Sequence, residues 1–161
     1  MVLAIVLFLF LVVVIVIHCL FFKEYSQVMG NYETLVKVLE ARDLILMRVL
    51  PEIKEKSVQD EITNLVSEQL NARKQGNDKL IETDVNLNKK LDRIYSELDK
   101  SKNPLVKEEL RRLVGFEKSL KTIRHEYSRA VDQYNEKIVK HPKSMIKIWK
   151  MKPLNTYKIK E

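Results

Sequence analysis

The sequence predicts an all-α protein: an N-terminal transmembrane helix followed by an antiparallel bundle of three long helices, or four if the middle one breaks at Gly76. Three observations predict this. Residues 2–22 contain no Asp, Glu, Lys or Arg. The 161 residues include only three Gly and four Pro, a composition of long helices rather than of a turn-rich sheet. From residue 28 to residue 138 the apolar side chains recur at steps of three and four, the spacing of one helix face.

The opening run, VLAIVLFLFLVVVIVIHCLFF, would be about 30 Å long as a helix, the thickness of a bilayer's hydrocarbon core. A cleaved secretory signal would begin with basic residues and close on small residues at a cut site. Here no Lys or Arg precedes the run, and Phe21, Phe22, Lys23, Glu24 and Tyr25 end it. A lipoprotein signal would place a small residue before the modified Cys, but His18 precedes Cys19. A buried core helix is seldom apolar on every face for this length. Residues 1–22 are therefore read as an uncleaved anchor in the lipid bilayer. Cys19, the only Cys, lies inside it, so no intramolecular disulfide can form. It is read as a small apolar residue facing lipid or a neighbouring helix, with palmitoylation as the alternative. Lys23, Lys37, Arg42 and Arg48 follow the run and only the α-amino group precedes it. That bias predicts a single-pass protein of the cell membrane with its N-terminus outside and its helical domain in the cytoplasm.

Residues 23–142 form the predicted bundle. Val28, Tyr32, Leu35, Val36, Leu39, Leu46, Val49, Leu50 and Ile53 make one stripe that continues the anchor helix. Gly30 weakens this helix without ending it, and Pro51 marks its end or a kink. A second helix is expected near Ser57, with Ser57 as its cap and Asp60 and Glu61 in its first turn. Its stripe is Ile62, Leu65, Val66, Leu70 and Ala72, and Gly76-Asn77 is the next punctuation. Leu80, Asp84, Leu87, Leu91, Ile94 and Leu98 then alternate in steps of four and three, close to a coiled-coil heptad seam, with Ile81, Val85 and Tyr95 beside it. Asn103 as cap and Pro104 at the first helical position open the last helix, which His141-Pro142 closes. It carries two rows at seven-residue spacing: Val106, Leu113, Leu120, Tyr127, Tyr134, and Leu110, Glu117, Arg124, Val131, Ile138. At roughly 55 Å the last helix matches one continuous middle helix better than two short ones, which favours three helices over four.

The last helix and its exit carry a recognisable pattern. Tyr127, Ala130, Val131, Tyr134, Asn135, Ile138 and Pro142, with Glu117 and Arg124 ahead of them, resemble the C-terminal signature of the LemA family. Ile146, Pro153 and Tyr157 continue the likeness. Upstream, Asp43-Leu44-Ile45 resembles that family's D-L-I motif and Ala72-Arg73 its A-R pair. The chain departs from the pattern at Leu46-Met47, where the family has Pro-Asn, and at Tyr127-Ser128, where it has Tyr-Asn, so it resembles a divergent member. The resemblance implies an N-terminal membrane helix before a helical bundle. It implies no defined biochemical activity, and one member belongs to magnetosome membranes.

Tyr127 and Tyr134 occupy a core row, so packing is expected of them, with each hydroxyl reaching a partner at the bundle edge. Asn135 is expected to make a side-chain-to-backbone or interhelix hydrogen bond. Glu117 and Arg124 interrupt an otherwise apolar row. Seven residues apart, their backbones are about 10 Å from each other, so they are not expected to pair directly. Their charges call for partners from other helices: Arg124 with Asp43, and Glu117 with Arg42 or Arg73. The alternative is that both side chains reach out to solvent.

No H-E-x-x-H, C-x-x-C or Ser/His/Asp arrangement stands out, and three Gly do not build a phosphate-cradling loop. No enzyme activity, metal or cofactor is predicted. Charge is concentrated instead. Residues 1–136 hold 21 basic and 21 acidic residues, while residues 137–161 hold eight Lys against Glu161, so the whole net charge of +7 lies there. In the tail, residues 143–161, Lys143, Lys147, Trp149, Lys150 and Lys152 are interleaved with Met145, Ile146, Ile148 and Met151, a pattern suited to an anionic lipid surface. Two other readings stand beside it: nucleic acid stacked on Trp149 and Tyr157, which the absence of Arg disfavours, and apolar side chains folded back on the bundle. The sequence thus predicts a membrane-anchored scaffold that self-associates or presents helix faces to a protein partner. The alternative is an accessory or regulatory subunit of a membrane enzyme or transporter.

Overall fold

A computed structural model describes residues 2–140 and 151–157. Among these residues every regular element is helical: α1 (Val2–Val49), a short 3-10 turn (Leu50–Glu52), α2 (Lys56–Gln75), α3 (Asn77–Asn88), α4 (Leu91–Asp99) and α5 (Pro104–Lys140). The expected end of α5 at His141-Pro142 and the tail residues Lys143, Lys147, Trp149 and Lys150 lie outside the described residues.

Among the described residues one helix, α1, is long and apolar enough to cross a membrane, with a mean hydropathy of 3.4 over its most apolar stretch. It runs 48 residues without a break, about 70 Å, through Gly30. Its side chains change environment part-way along. Leu3, Leu7, Phe10 and Val13 are exposed, whereas Phe21, Val28, Leu35, Leu39, Leu46 and Val49 are buried. Ile17 already packs against the core, so the packed region begins inside the apolar run rather than after it. Pro51 ends the helix as expected. The chain tightens into the 3-10 turn, where the amide of Ile53 donates to the Leu50 carbonyl (3.2 Å).

α2 starts one residue before Ser57, so Ser57 does not cap it. Its hydroxyl donates to Glu55 Oε1 instead. The buried stripe of α2 is Val58, Ile62, Val66, Gln69 and Ala72; Leu70, expected inside, is 49 % exposed. The middle stretch is not one long helix. Gly76 adopts φ 108° and ψ −177°, which an L side chain would strain, and α2 stops there. Gln69 and Asp84 both reach Arg42, although a straight helix would hold them about 22 Å apart. The chain therefore turns back at Gly76, the condition under which the sequence predicts four helices. A second interruption separates α3 from α4 at Lys89 and Lys90. There the Lys90 amide bonds to the Leu87 carbonyl one residue short of helical register, while both residues stay in the right-handed region. Because the backbone keeps its hand, the seam crosses the interruption intact: Leu80, Asp84, Leu87, Leu91, Ile94 and Leu98 are all buried.

The Asn103 side chain caps α5, accepting from the Leu105 amide at 3.0 Å. Successive contacts between α5 and α1 pair rising numbers with falling ones: Glu109 with Arg48, Glu117 with Arg42, the Glu126 carbonyl with Asn31, and Lys137 with Glu24. The buried apolar side chains form two clusters. One includes Phe21, Leu35, Leu39, Leu80, Tyr127, Tyr134 and Ile138. The other includes Leu46, Ile62, Val66, Leu87, Ile94 and Leu113.

Candidate functional site

Between the two apolar clusters lies a layer of charge. Arg42 is at its centre, with its side chain fully buried. Its Nη1 meets Asp84 Oδ1 at 3.0 Å and Glu117 Oε1 at 3.1 Å, and its Nη2 donates to Gln69 Oε1 at 3.1 Å. Arg124 grips Asp84 with two hydrogen bonds, Nε to Oδ2 at 2.8 Å and Nη2 to Oδ1 at 2.9 Å. Arg73 donates to Asp43 Oδ2 at 2.6 Å. Three guanidinium groups thus face three carboxylates, and the layer is internally neutral. Its members come from α1, α2, α3 and α5, so a slip of any helix past its neighbours would leave a buried charge unpaired.

Part of this layer follows the sequence pattern. Glu117 pairs with Arg42, as expected. The expected pairing of Arg124 with Asp43 does not form: Asp43 takes Arg73, and Arg124 takes Asp84. Glu117 and Arg124 also meet, at 3.4 Å between Oε2 and Nη1, despite the spacing of their backbones. Long side chains that lean together along the helix close a gap that backbone spacing alone leaves open. The sequence shows Asp84 as the one charged position of an apolar seam and carries no signal of its partners. Gln69 lies one residue before Leu70, the position that the apolar pattern puts on the buried stripe.

Arg42 and Arg124 both have raised pKa values. Burial opposes their charge, but the carboxylates outweigh it: Asp84, Asp43 and Glu117 around Arg42, Asp84 and Glu117 around Arg124. Burial likewise works against the charge of Asp84, yet Arg42, Arg124 and the Tyr157 hydroxyl hold its carboxyl below the usual range. Asp43 goes the other way. Burial dominates over Arg42 and Arg73 and pushes it up to about 6.

These opposite shifts give opposite pH dependences. A raised Asp43 retains a proton that the unfolded chain loses, so its contribution is full below about pH 4 and lost as the pH rises through about 6. The depressed Asp84 contributes above its unfolded value, and that is lost as the pH falls through its folded one. The stability of the full chain relative to Asp43→Asn is expected to fall by about 2.4 kcal/mol between pH 4 and pH 7. Denaturant unfolding in detergent, followed by helical circular dichroism, measures it; a flat difference would remove Asp43 from this role.

Residues 151–157 close the layer from one side. Asn135 brackets Leu154, its Nδ2 donating to the Leu154 carbonyl (2.8 Å) and its Oδ1 accepting from the Leu154 amide (3.0 Å). The Tyr157 amide donates to Ser128 Oγ at 3.2 Å, and the Tyr157 hydroxyl donates to Asp84 Oδ2 at 2.9 Å. Its ring stands edge-on to Tyr127 (centroids 6.2 Å apart) and under the Arg124 guanidinium (5.9 Å). The Tyr127 hydroxyl accepts from Asn77 Nδ2 and donates to the Asn155 carbonyl. Met151, Leu154 and Tyr157 therefore fold back on the helices, while Lys152 is exposed.

Of the remaining motif residues, Ile45, Tyr127, Ala130, Val131, Tyr134 and Ile138 are buried, and Tyr134 packs on Tyr25 (centroids 5.9 Å apart). Leu44 is not in the core. It is 66 % exposed, because Arg42, Asp43, Ile45 and Leu46 take the inward face of that turn. Among the described residues no three His, Cys, Asp or Glu converge so as to hold a metal ion.

Fold and site together define an all-helical protein with one helix able to span a membrane and a charged layer buried among its helices. A scan of known protein families and searches of curated proteins and of solved structures found no match.

Proposed function

We propose that this chain is a single-pass protein of the cell membrane, N-terminus outside, whose cytoplasmic part is an antiparallel four-helix bundle serving as a scaffold. It is a divergent relative of the LemA family on the residues given above. The continuity of α1 carries the reading. One helix holds exposed apolar side chains at Leu3, Phe10 and Val13 and core side chains at Leu35, Leu39 and Leu46, so anchor and bundle share a rigid rod with no linker. The falling register of α1 against α5 and the reversal at Gly76 support the antiparallel arrangement. The neutral charged layer supports a structural role, since its groups satisfy one another and fix register.

A scaffold of this kind works through self-association. Extraction of the full chain in mild detergent, followed by cross-linking and mass determination, is expected to give multiples of the chain's own mass. Recovery of the chain only as a stoichiometric complex with one different protein would contradict the scaffold and assign the chain to an accessory subunit.

A further inference from the structure

A crevice of about 380 Å³ opens where the apolar run of α1 gives way to its first charged residue, Lys23. His18, Phe22 and Tyr25 of α1, Tyr134 of α5, and Met151 and Lys152 of the returning segment line it. We propose that this crevice binds one anionic phospholipid, its headgroup on Lys152 and the upper part of an acyl chain against the aromatic wall. The proposal rests on the reading of residues 2–22 as a membrane span.

Four observations single out a lipid. The crevice is continuous with the apolar surface of the span and lies at its end, the level of the headgroups. Tyr25, 43 % exposed, is the amphipathic aromatic type that settles at the membrane–water boundary, and Phe22, 65 % exposed, offers apolar surface beside it. Among the described residues no acidic side chain lines the crevice, and Glu24 close by is neutralised by Lys137, so Lys152 leaves the described rim positive. The volume is that of a small-ligand pocket, and the wall is apolar with few polar groups, which suits a chain with a charged head. The other hollows with cationic side chains in their walls each hold an acidic one as well: Glu117 beside Arg124, Asp132 and Glu136 on one side of Arg129, Glu126 on the other, and Asp78 and Glu82 in the hollow of Lys89.

The test reconstitutes the full chain in vesicles of phosphatidylcholine with a minority of phosphatidylglycerol. Insertion is checked by flotation and alkaline carbonate, and the lipid retained after release into detergent is read by native mass spectrometry. Phosphatidylglycerol is expected to be retained in excess of its share of the vesicle. Lys152→Glu should reduce that retention about tenfold, the scale of reversing one charge at a lipid surface. Phe22→Ala, at an exposed site, should reduce it while helicity is unchanged, and Lys102→Glu in the α4–α5 loop should leave it unchanged. An inserted chain that retains both lipids in proportion, or a Lys152→Glu chain that behaves as the parent, overturns the lipid site and leaves the anchor standing. A chain that fails to enter the vesicles overturns both.

Discussion

Asp84→Asn is expected to destabilise the helical part by about 3–5 kcal/mol, the largest effect of any single charge-removing substitution here. The side chain is fully buried and serves Arg42, Arg124 and the Tyr157 hydroxyl at once. Removing its charge leaves two guanidinium groups sharing Glu117, with Asp43 at 3.6 Å from Arg42 as the other nearby carboxylate, in a layer largely shielded from water. Thermal unfolding of the full chain in detergent should show the loss as a fall of roughly 10 °C or more. The same layer predicts non-additivity. Asp84→Leu combined with Arg124→Leu should cost clearly less than the two changes summed, with a coupling above about 1 kcal/mol. The Asp43–Arg124 cycle should couple less, because Asp43 bonds to Arg73 instead. A neutral Asp84→Asn chain would mean that the layer does not hold the helices in register.

The second large effect concerns the exposed half of α1. Leu9 and Val13 are 57 % and 53 % exposed, so in water Arg at both positions would change stability by less than about 1 kcal/mol. In a bilayer each Arg near the middle of the span costs roughly 2.5–3.5 kcal/mol, and the pair about twice that. Leu9→Arg with Val13→Arg should therefore remove the chain from the carbonate-resistant membrane fraction. An unchanged distribution between membrane and soluble fractions would count against the span.

Which features the sequence revealed, and which it hid, follows from the range of the forces involved. Helical periodicity is local, so the seam from Leu80 to Leu98 and the row from Val106 to Tyr134 could be placed on buried faces before any packing was known. Asn103-Pro104 and Pro51 act within a turn of themselves and were equally legible. Gly76 announced a break and left run-on and reversal both open; the lengths favoured run-on, whereas the packing of α2 against α3, which sequence alone does not show, accompanies the reversal. Asp84 was in view as an acid in an apolar seam. Its partners were not, since they lie 42 and 40 residues away on other helices. The charge-bearing tail hid a division. Composition gave a basic tract, but only tertiary contact distinguishes the exposed Lys152 from Leu154 and Tyr157, which Asn135 and Ser128 hold against α5. The resemblance drew attention to Tyr127, Tyr134 and Asn135, and two of these turn out to fasten the returning segment.

The arrangement of the chain about a membrane is most directly tested by protease protection of a C-terminal tag, in sealed cells and in inverted vesicles. The account predicts a tag shielded in intact cells and cleaved in inverted vesicles, with the helical part in the cytoplasm beside anionic lipid. Cleavage in intact cells would contradict it and would place the charged layer and the basic tail outside the cell.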